Sequence, residues 1–107
     1  MKEDDQVKII LELKDVGLSK GDVARSVRVE PEVIEDVLHG REALGLFEEG
    51  RLLSLLHITR RLKGIMAKEN LLLWLKEENA HLFNHTPLDI LGPDVENLLS
   101  RLEWEAA

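Results

Sequence analysis

Apolar residues recur every three or four positions along most of this chain, a spacing typical of amphipathic helices. Three helices are predicted before residue 41, because each has start or stop residues in suitable places. Gly17 ends the first helix. Ser19, with Asp22 three residues later, begins the second. Pro31 begins the third, in the first turn where its missing N–H costs nothing, and Gly40 ends it.

The second part of the chain predicts further helices over about 43–63, 66–78 and 94–104. Residues 79–85 read as a loop. Thr86 followed by Pro87 predicts the start of a short helix, with Thr as its cap. No alternating strand pattern of useful length appears, so we expect an all-α protein. We divide it into residues 1–41 and residues 42–107.

The second and third helices have the apolar spacing of a helix-turn-helix, in which two helices pack closely around a tight turn. Arg28 stands where that turn usually has Gly, at a position that favours positive φ. The alternative is a small three-helix fold used for packing or dimerisation alone. The candidate DNA-binding residues are Lys20, Arg25, Arg28, Glu32, Glu35 and Arg41.

The second part of the chain carries Trp74-Leu75, Asn79, Leu82, Thr86-Pro87-Leu88 and Ile90-Leu91 in that order. This series resembles the C-terminal toxin-binding domain of the MbcA/ParS/Xre antitoxins over roughly residues 50–105. Asn84 stands where Gly is common in that family. A helix-turn-helix followed by such a segment is the layout of these antitoxins.

The resemblance implies a partner and a function. Antitoxins of this family bind RES-domain toxins, which consume or transfer NAD, and their C-terminal region covers the toxin's NAD cleft. Their Xre-type N-terminal domains often dimerise and repress their own operon. The resemblance and the apolar pattern together give these candidate toxin-binding residues: Trp74, Leu75, Asn79, Leu82, Thr86, Pro87, Leu88, Leu91, Leu99, Leu102 and Trp104.

Physical reasoning, apart from the resemblance, gives expectations for three of these residues. The five apolar residues of 71–75 cover every direction of a helix, so that helix is either central or presents one face to another chain. Trp74 therefore has two readings, a residue wrapped by its own neighbours or an interface residue. Trp104, close to the C-terminal end of the last helix, is expected on a partner surface, where Trp is enriched. Asn79 is expected to bond loop backbone.

The net charge of −7 is shared by both parts of the chain, so neither is basic. This opposes strong nonspecific DNA binding and suits a partner with a basic cleft. The basic run 60–63 is expected to balance neighbouring Glu residues. The acidic N-terminus has no signal-peptide pattern, there is no cysteine, and no apolar run is long enough for a membrane span, so we expect a cytoplasmic protein.

Catalytic chemistry is not indicated. The chain has no phosphate-binding Gly-rich loop and no recognisable nucleophile motif. His81 and His85 have the spacing of a zinc pair on a helix, but a loop is expected there. We therefore expect no enzyme activity, no cofactor and no metal. The predicted function is an antitoxin that forms a homodimer and neutralises a RES-domain toxin. Operator DNA is a further predicted partner, bound either by the chain alone or only by its complex with the toxin. The alternative is a stand-alone DNA-binding regulator with a dimerising C-terminal domain.

Overall fold

The computed structural model describes residues 3–106, which form six α-helices and one 3₁₀ turn and contain no strand. The all-α prediction is thus confirmed. The elements, in chain order, are α1 (Glu3–Val16), α2 (Lys20–Val27), α3 (Pro31–Leu38), α4 (Leu46–Lys63), α5 (Lys68–Lys76), the 3₁₀ turn (Ala80–Leu82) and α6 (Pro93–Ala106).

The predicted helix ends fall close to the observed ones in the first part of the chain. Ser19 caps α2 in a capping box with Asp22, each side chain accepting a hydrogen bond from the other's backbone N–H. Pro31 occupies the first turn of α3. Arg28 ends α2 in the left-handed conformation, with φ 64°, where the sequence indicated positive φ. Three residues, 28–30, therefore separate α2 from α3.

The predicted short helix at Thr86 is not formed. Residues 87–90 make only turns, and α6 begins at Pro93. Two contacts explain this. The N–H of Leu88 bonds the carbonyl of Leu75 at the end of α5, 3.1 Å away. The Thr86 hydroxyl caps Asp89 as expected (N···Oγ1 3.3 Å), but few residues remain before the chain turns at Gly92, with φ 149°.

Helix α4 lies at the centre of the molecule. It packs against α1, α2, α5 and α6. Its buried face carries Leu52, Leu55, Ile58 and Leu62, all completely inaccessible to solvent. The buried residues before and after position 41 consequently belong to one continuous cluster.

Ion pairs fasten α4 to the helices on either side. Arg60 forms a two-point ion pair with Glu12 of α1, with both N···O distances 2.7 Å. Arg61 pairs with Glu103 of α6 and also donates to Ser100. The basic run at the end of α4 therefore balances acidic residues, as the sequence predicted.

Gln6 is a buried polar residue that the helical pattern did not single out. Its side chain is 2% exposed and makes three hydrogen bonds. Its amide nitrogen donates to the Leu44 carbonyl (3.2 Å) and to Glu49 Oε2 (2.7 Å), and its amide oxygen accepts from the Leu44 N–H (2.8 Å). These bonds hold the α3–α4 connection against α1 and satisfy the buried amide.

Thr59 gives a direct test of this packing. Its hydroxyl is buried in α4 with no hydrogen-bond partner. An unpaired buried polar group destabilises the folded state, so Thr59→Val is expected to raise the free energy of unfolding by about 1 kcal/mol. Urea denaturation measures this change.

Thr86→Val is the matched control, because Thr86 is also a buried residue but its hydroxyl bonds Asp89 and Arg25. It is expected to lower the free energy of unfolding by about 1–2 kcal/mol. Equal effects of the two substitutions would contradict the hydrogen-bond assignment.

Candidate partner-binding surface

The contact between α2 and the segment after α5 is centred on Asp89. Arg25 of α2 donates Nε to Asp89 Oδ1 (2.7 Å) and Nη2 to Asp89 Oδ2 (2.6 Å). The same Nη2 donates to the Thr86 hydroxyl at 3.1 Å, and that hydroxyl donates to Asp89 Oδ2 at 2.9 Å. Planar two-point pairs of this kind are among the strongest side-chain hydrogen bonds. We call this group of three residues the Asp89 clamp.

The hydrogen bonds of the clamp shift the pKa values of Asp89 and Arg25. The Arg25 hydrogen bond, followed by that of Thr86, holds the pKa of Asp89 below its ordinary value despite partial burial. The Asp89 hydrogen bond likewise raises the pKa of Arg25. Both side chains remain more than 40% exposed, so solvent screens much of their attraction.

The basic residues predicted to bind DNA all have acceptors within the chain. Lys20 pairs with Glu35, and Arg41 pairs with Asp36 at 2.9 Å. Arg25 belongs to the clamp, and Arg28 donates to the Asp89 carbonyl at 3.2 Å.

The acidic residues of α3 also keep exposed surface. Glu32 is exposed, and Glu35, another predicted DNA contact, is occupied by Lys20. The α2–α3 region therefore presents carboxylates and partly neutralised bases. That combination is unfavourable for contact with phosphates.

Six of the predicted toxin-binding residues are buried in the chain itself. Leu75, Leu88 and Leu99 are completely inaccessible, and Leu82 is 1% exposed. Thr86 and Pro87 are also buried, Thr86 within the clamp. In this fold their side chains pack in the core and the turn segment and leave little surface for a partner, and their contact with a toxin stays a prediction.

The other predicted residues retain some surface. Trp74, Leu91 and Leu102 are half-buried, and Trp74 and Leu91 pack against the core. The Asn79 side chain caps the 3₁₀ turn by accepting from the His81 N–H (2.9 Å), in agreement with its expected bonding to loop backbone. Trp104 is 83% exposed.

Phe83 is an exposed aromatic residue at the tip of the loop after the 3₁₀ turn. Phe83 and Asn84 both have positive φ, 56° and 65°, and the His85 N–H bonds the Leu82 carbonyl at 3.0 Å. These features define a type I′ turn. Asn tolerates positive φ, whereas a Phe there costs on the order of 1 kcal/mol. Yet the Phe83 side chain is 81% exposed, so burial does not compensate for the strain.

Phe83 faces α6 across an open cleft of about 290 Å³. The residues lining this cleft are His81, Phe83, Asp94, Asn97, Leu98 and Arg101. Trp104 follows Arg101 by three residues on α6 and Asn97 by seven, so the three lie on one face of the helix. We call this region, formed by Phe83, Asn97, Arg101 and Trp104, the Phe83–Trp104 surface.

This surface has the chemistry of a protein contact. The exposed ring of Phe83 lines a cleft with the guanidinium of Arg101 and the amide of Asn97, and the exposed Trp104 follows Arg101 by three residues on α6. Trp and Arg are enriched at interface hot spots, and isolated strained residues concentrate at functional sites. Sequence reasoning identified Trp104 but missed Phe83 and Arg101. The sequence did contain one indication of a tight turn beside Phe83. Asn84 stands where Gly is common in the antitoxins that the chain resembles, and both residues tolerate positive φ.

Metal and membrane chemistry receive no support from the described residues. In residues 3–106 no three His, Cys, Asp or Glu side chains are grouped so as to hold a metal ion. His81 lies in the 3₁₀ turn and His85 after the type I′ turn, so the two do not share a helix face. None of the helices in this part of the chain combines the length and apolar character needed to cross a bilayer.

Comparisons with known proteins found no relative of this chain. No family model, no curated protein and no solved structure matches it.

The Asp89 clamp predicts a pH dependence of stability. Because the folded-state pKa of Asp89 is lowered, its stabilising effect is present above the unfolded-state value and is lost as the pH falls through the folded-state value. Asp89→Asn is therefore expected to cost about 0.5–1 kcal/mol at pH 7 and progressively less below about pH 4.

Urea denaturation at several pH values measures this difference. Glu42→Gln, at an exposed position in the α3–α4 connection, is the control for removing one negative charge. A destabilisation by Asp89→Asn that grows as the pH falls would contradict the assigned role of the carboxylate.

Proposed function

We propose that this chain is an antitoxin that binds a RES-domain, NAD-consuming toxin and keeps NAD out of the toxin's cleft. The Phe83–Trp104 surface is the proposed contact. The single observation that carries this proposal is a pair of aromatic side chains, each more than 80% exposed: Phe83 lines the cleft, and Trp104 follows Arg101 of the cleft lining by three residues on α6. The identity of the partner rests on the sequence resemblance alone.

The distribution of apolar residues supports a binding function at this surface. The buried core is built from Leu, Ile, Val and Ala, with no aromatic residue among the fully buried side chains of residues 4–106. Large apolar side chains left in water on a folded domain mark contact sites more often when they cluster than when they are scattered. Phe83 lines the cleft and Trp104 lies on the same face of α6 as Asn97 and Arg101 of its lining, so we treat them as one cluster.

Charge supports a basic partner. The chain carries a net charge of −7, and many of its lysines and arginines are already paired with its own acids. The field around the molecule is therefore negative, which favours the approach of a partner whose binding cleft is basic. The proposed inhibition is steric: the antitoxin covers the cleft, and no catalytic group on this chain is required.

Affinity purification tests the proposal. The tagged chain is expected to recover a RES-domain protein from its native host in a fixed stoichiometry, identified by mass spectrometry. The purified partner is expected to consume NAD alone and to lose this activity when the chain is added. Trp104→Ser and Phe83→Ser are each expected to weaken the complex at least tenfold, since truncation of an aromatic anchor commonly costs more than about 1.4 kcal/mol.

Leu73→Ser is the matched control, because Leu73 is a 55% exposed apolar residue on α5 outside the proposed surface. It is expected to leave the affinity unchanged. Recovery of no RES-domain protein, or an equal loss of affinity for Leu73→Ser, would overturn the proposal.

Operator binding is the second part of the proposal, and the α2–α3 pair with its left-handed Arg28 turn favours it. The internal pairing of Lys20, Arg25 and Arg41 disfavours it for the free chain. We therefore expect gel-shift assays with DNA upstream of its own gene to show binding by the toxin complex and not by the free chain. Sequence-specific binding by the free chain would instead favour the stand-alone regulator.

A further inference from the structure

An open cleft of about 330 Å³ lies between the end of α2 and the first turns of α4. The residues lining it are Val27, Arg28, Phe47, Glu48 and Arg51. We call it the Arg28–Arg51 cleft. It shares no lining residue with the cleft beside Phe83, so it is a separate site.

Positive charge is concentrated at this cleft, because three arginines donate hydrogen bonds to Asp89, which has one carboxylate. Arg25 binds that carboxylate with two bonds of 2.7 and 2.6 Å. Arg28 and Arg51 instead donate to the Asp89 backbone carbonyl, at 3.2 and 3.3 Å. A carbonyl oxygen is neutral, so it satisfies an N–H group without balancing the charge of either guanidinium.

Arg51 is held in place from the side of α2. It is half-buried, and its Nε donates to the Ser26 carbonyl at 2.6 Å. Burial, and after it the charge of Arg28, lowers the pKa of Arg51. An anion bound between the two guanidinium groups would be attracted by both and would relieve their repulsion.

Glu48 lines the same cleft, but its carboxylate lies at the start of α4. A Cβ placed on Gly45, the residue that precedes the helix, would be 3.0 Å from Glu48 Oε2. Negative charge is favoured at a helix N-terminus. Glu48 therefore has a favourable place of its own, and its charge limits how much negative charge a ligand can bring into the cleft.

Apolar surface lies beside these charges. Phe47 lines the cleft and is 90% exposed, and its neighbour Leu46 is 89% exposed. Gly50 follows Phe47 by three residues on the same side of α4, and a Cβ added to it would meet no atom within 4 Å. Glycine at such a position permits another backbone to approach closely. A ligand that fits this surface combines a carboxylate, an apolar side chain and a backbone, as a peptide does.

We propose that the Arg28–Arg51 cleft binds an acidic peptide segment of a partner protein. One Asp or Glu carboxylate of the segment lies between Arg28 and Arg51, and an adjacent apolar side chain packs against Phe47. The proposal does not rest on the antitoxin assignment, since it uses no residue of the Phe83–Trp104 surface.

Charge around the cleft favours a peptide over DNA. A duplex carries a dense row of phosphates along each strand. Glu30 and Glu32, both exposed, follow Arg28 closely in the chain, and Glu48 lines the cleft itself. These carboxylates oppose a row of phosphates, whereas a single carboxylate on a peptide reaches the two arginines alone.

Two-dimensional NMR of the isotope-labelled full chain, titrated with the peptide acetyl-Leu-Asp-Leu-amide, is the test. Saturable shifts are expected at the backbone amides of residues 27–28 and 47–51 and at the Nε resonance of Arg51, with a dissociation constant on the order of 1 mM. The same peptide with Asn in place of Asp is expected to bind at least about fivefold more weakly, because it lacks the charge.

Substitutions locate the binding site. Arg28→Gln and Phe47→Ser, both at exposed positions, are each expected to weaken binding of the Asp peptide at least about threefold. Arg41→Gln and Phe83→Ser are the matched controls, at exposed positions outside the cleft, and are expected to leave the dissociation constant unchanged. Glu48→Gln is expected to strengthen binding of the Asp peptide and not of the Asn peptide, an effect that a loss of folding does not produce.

Three results would refute the proposal. The first is a titration without shifts at residues 27–28 and 47–51. The second is equal binding of the Asp and Asn peptides. The third is displacement of the peptide from the free chain by a short DNA duplex, since that result would assign the cleft to nucleic acid.

Discussion

The packing of α4 is the constraint on which the rest of the structure depends. Four of its side chains, Leu52, Leu55, Ile58 and Leu62, are completely buried, and helices from both parts of the chain pack around them. Truncating one such residue to alanine typically costs about 2–5 kcal/mol, a large share of the roughly 5–15 kcal/mol that stabilises a domain. The α2–α3 pair and the α6 region therefore share one core, and the Asp89 clamp adds a separate contact between α2 and the segment after α5.

Aromatic residues are distributed in an unusual way. The chain has two Phe and two Trp, and three of these four side chains are more than 80% exposed. Aromatic side chains usually bury a large area in a protein core. They are also enriched at the interfaces between proteins. The core of the described residues is therefore aliphatic, and Phe83 and Trp104 take little part in its packing. Substitutions at Phe83 or Trp104 consequently test binding with little effect on folding.

Some of this structure could be predicted from the sequence and some could not. The helices have local causes: Ser19 and Asp22 cap α2, and Pro31 begins α3. The antitoxin pattern also located the segment after α5, but it did not tell which of its residues face inward. Leu75, Leu82 and Leu88 are core residues because α4, α5 and α6 surround them, and periodicity along one helix does not reveal what covers its faces.

Contacts between residues that are far apart in the sequence could not be predicted from local sequence patterns. Arg25 and Asp89 are 64 residues apart, and nothing near either of them in the sequence announces the pair. Arg25 therefore appeared to be a free base for DNA. Phe83 was missed because an aromatic residue at positive φ runs against local preference.

Hydrogen–deuterium exchange on the complex of this chain with the RES-domain partner that we propose for it tests the central claim most directly. The account predicts that binding slows exchange at residues 81–85 and along α6 from residue 97 onward, with little change in α2 and α3. Slowing confined to α2 and α3, with residues 81–85 and α6 unchanged, would contradict it.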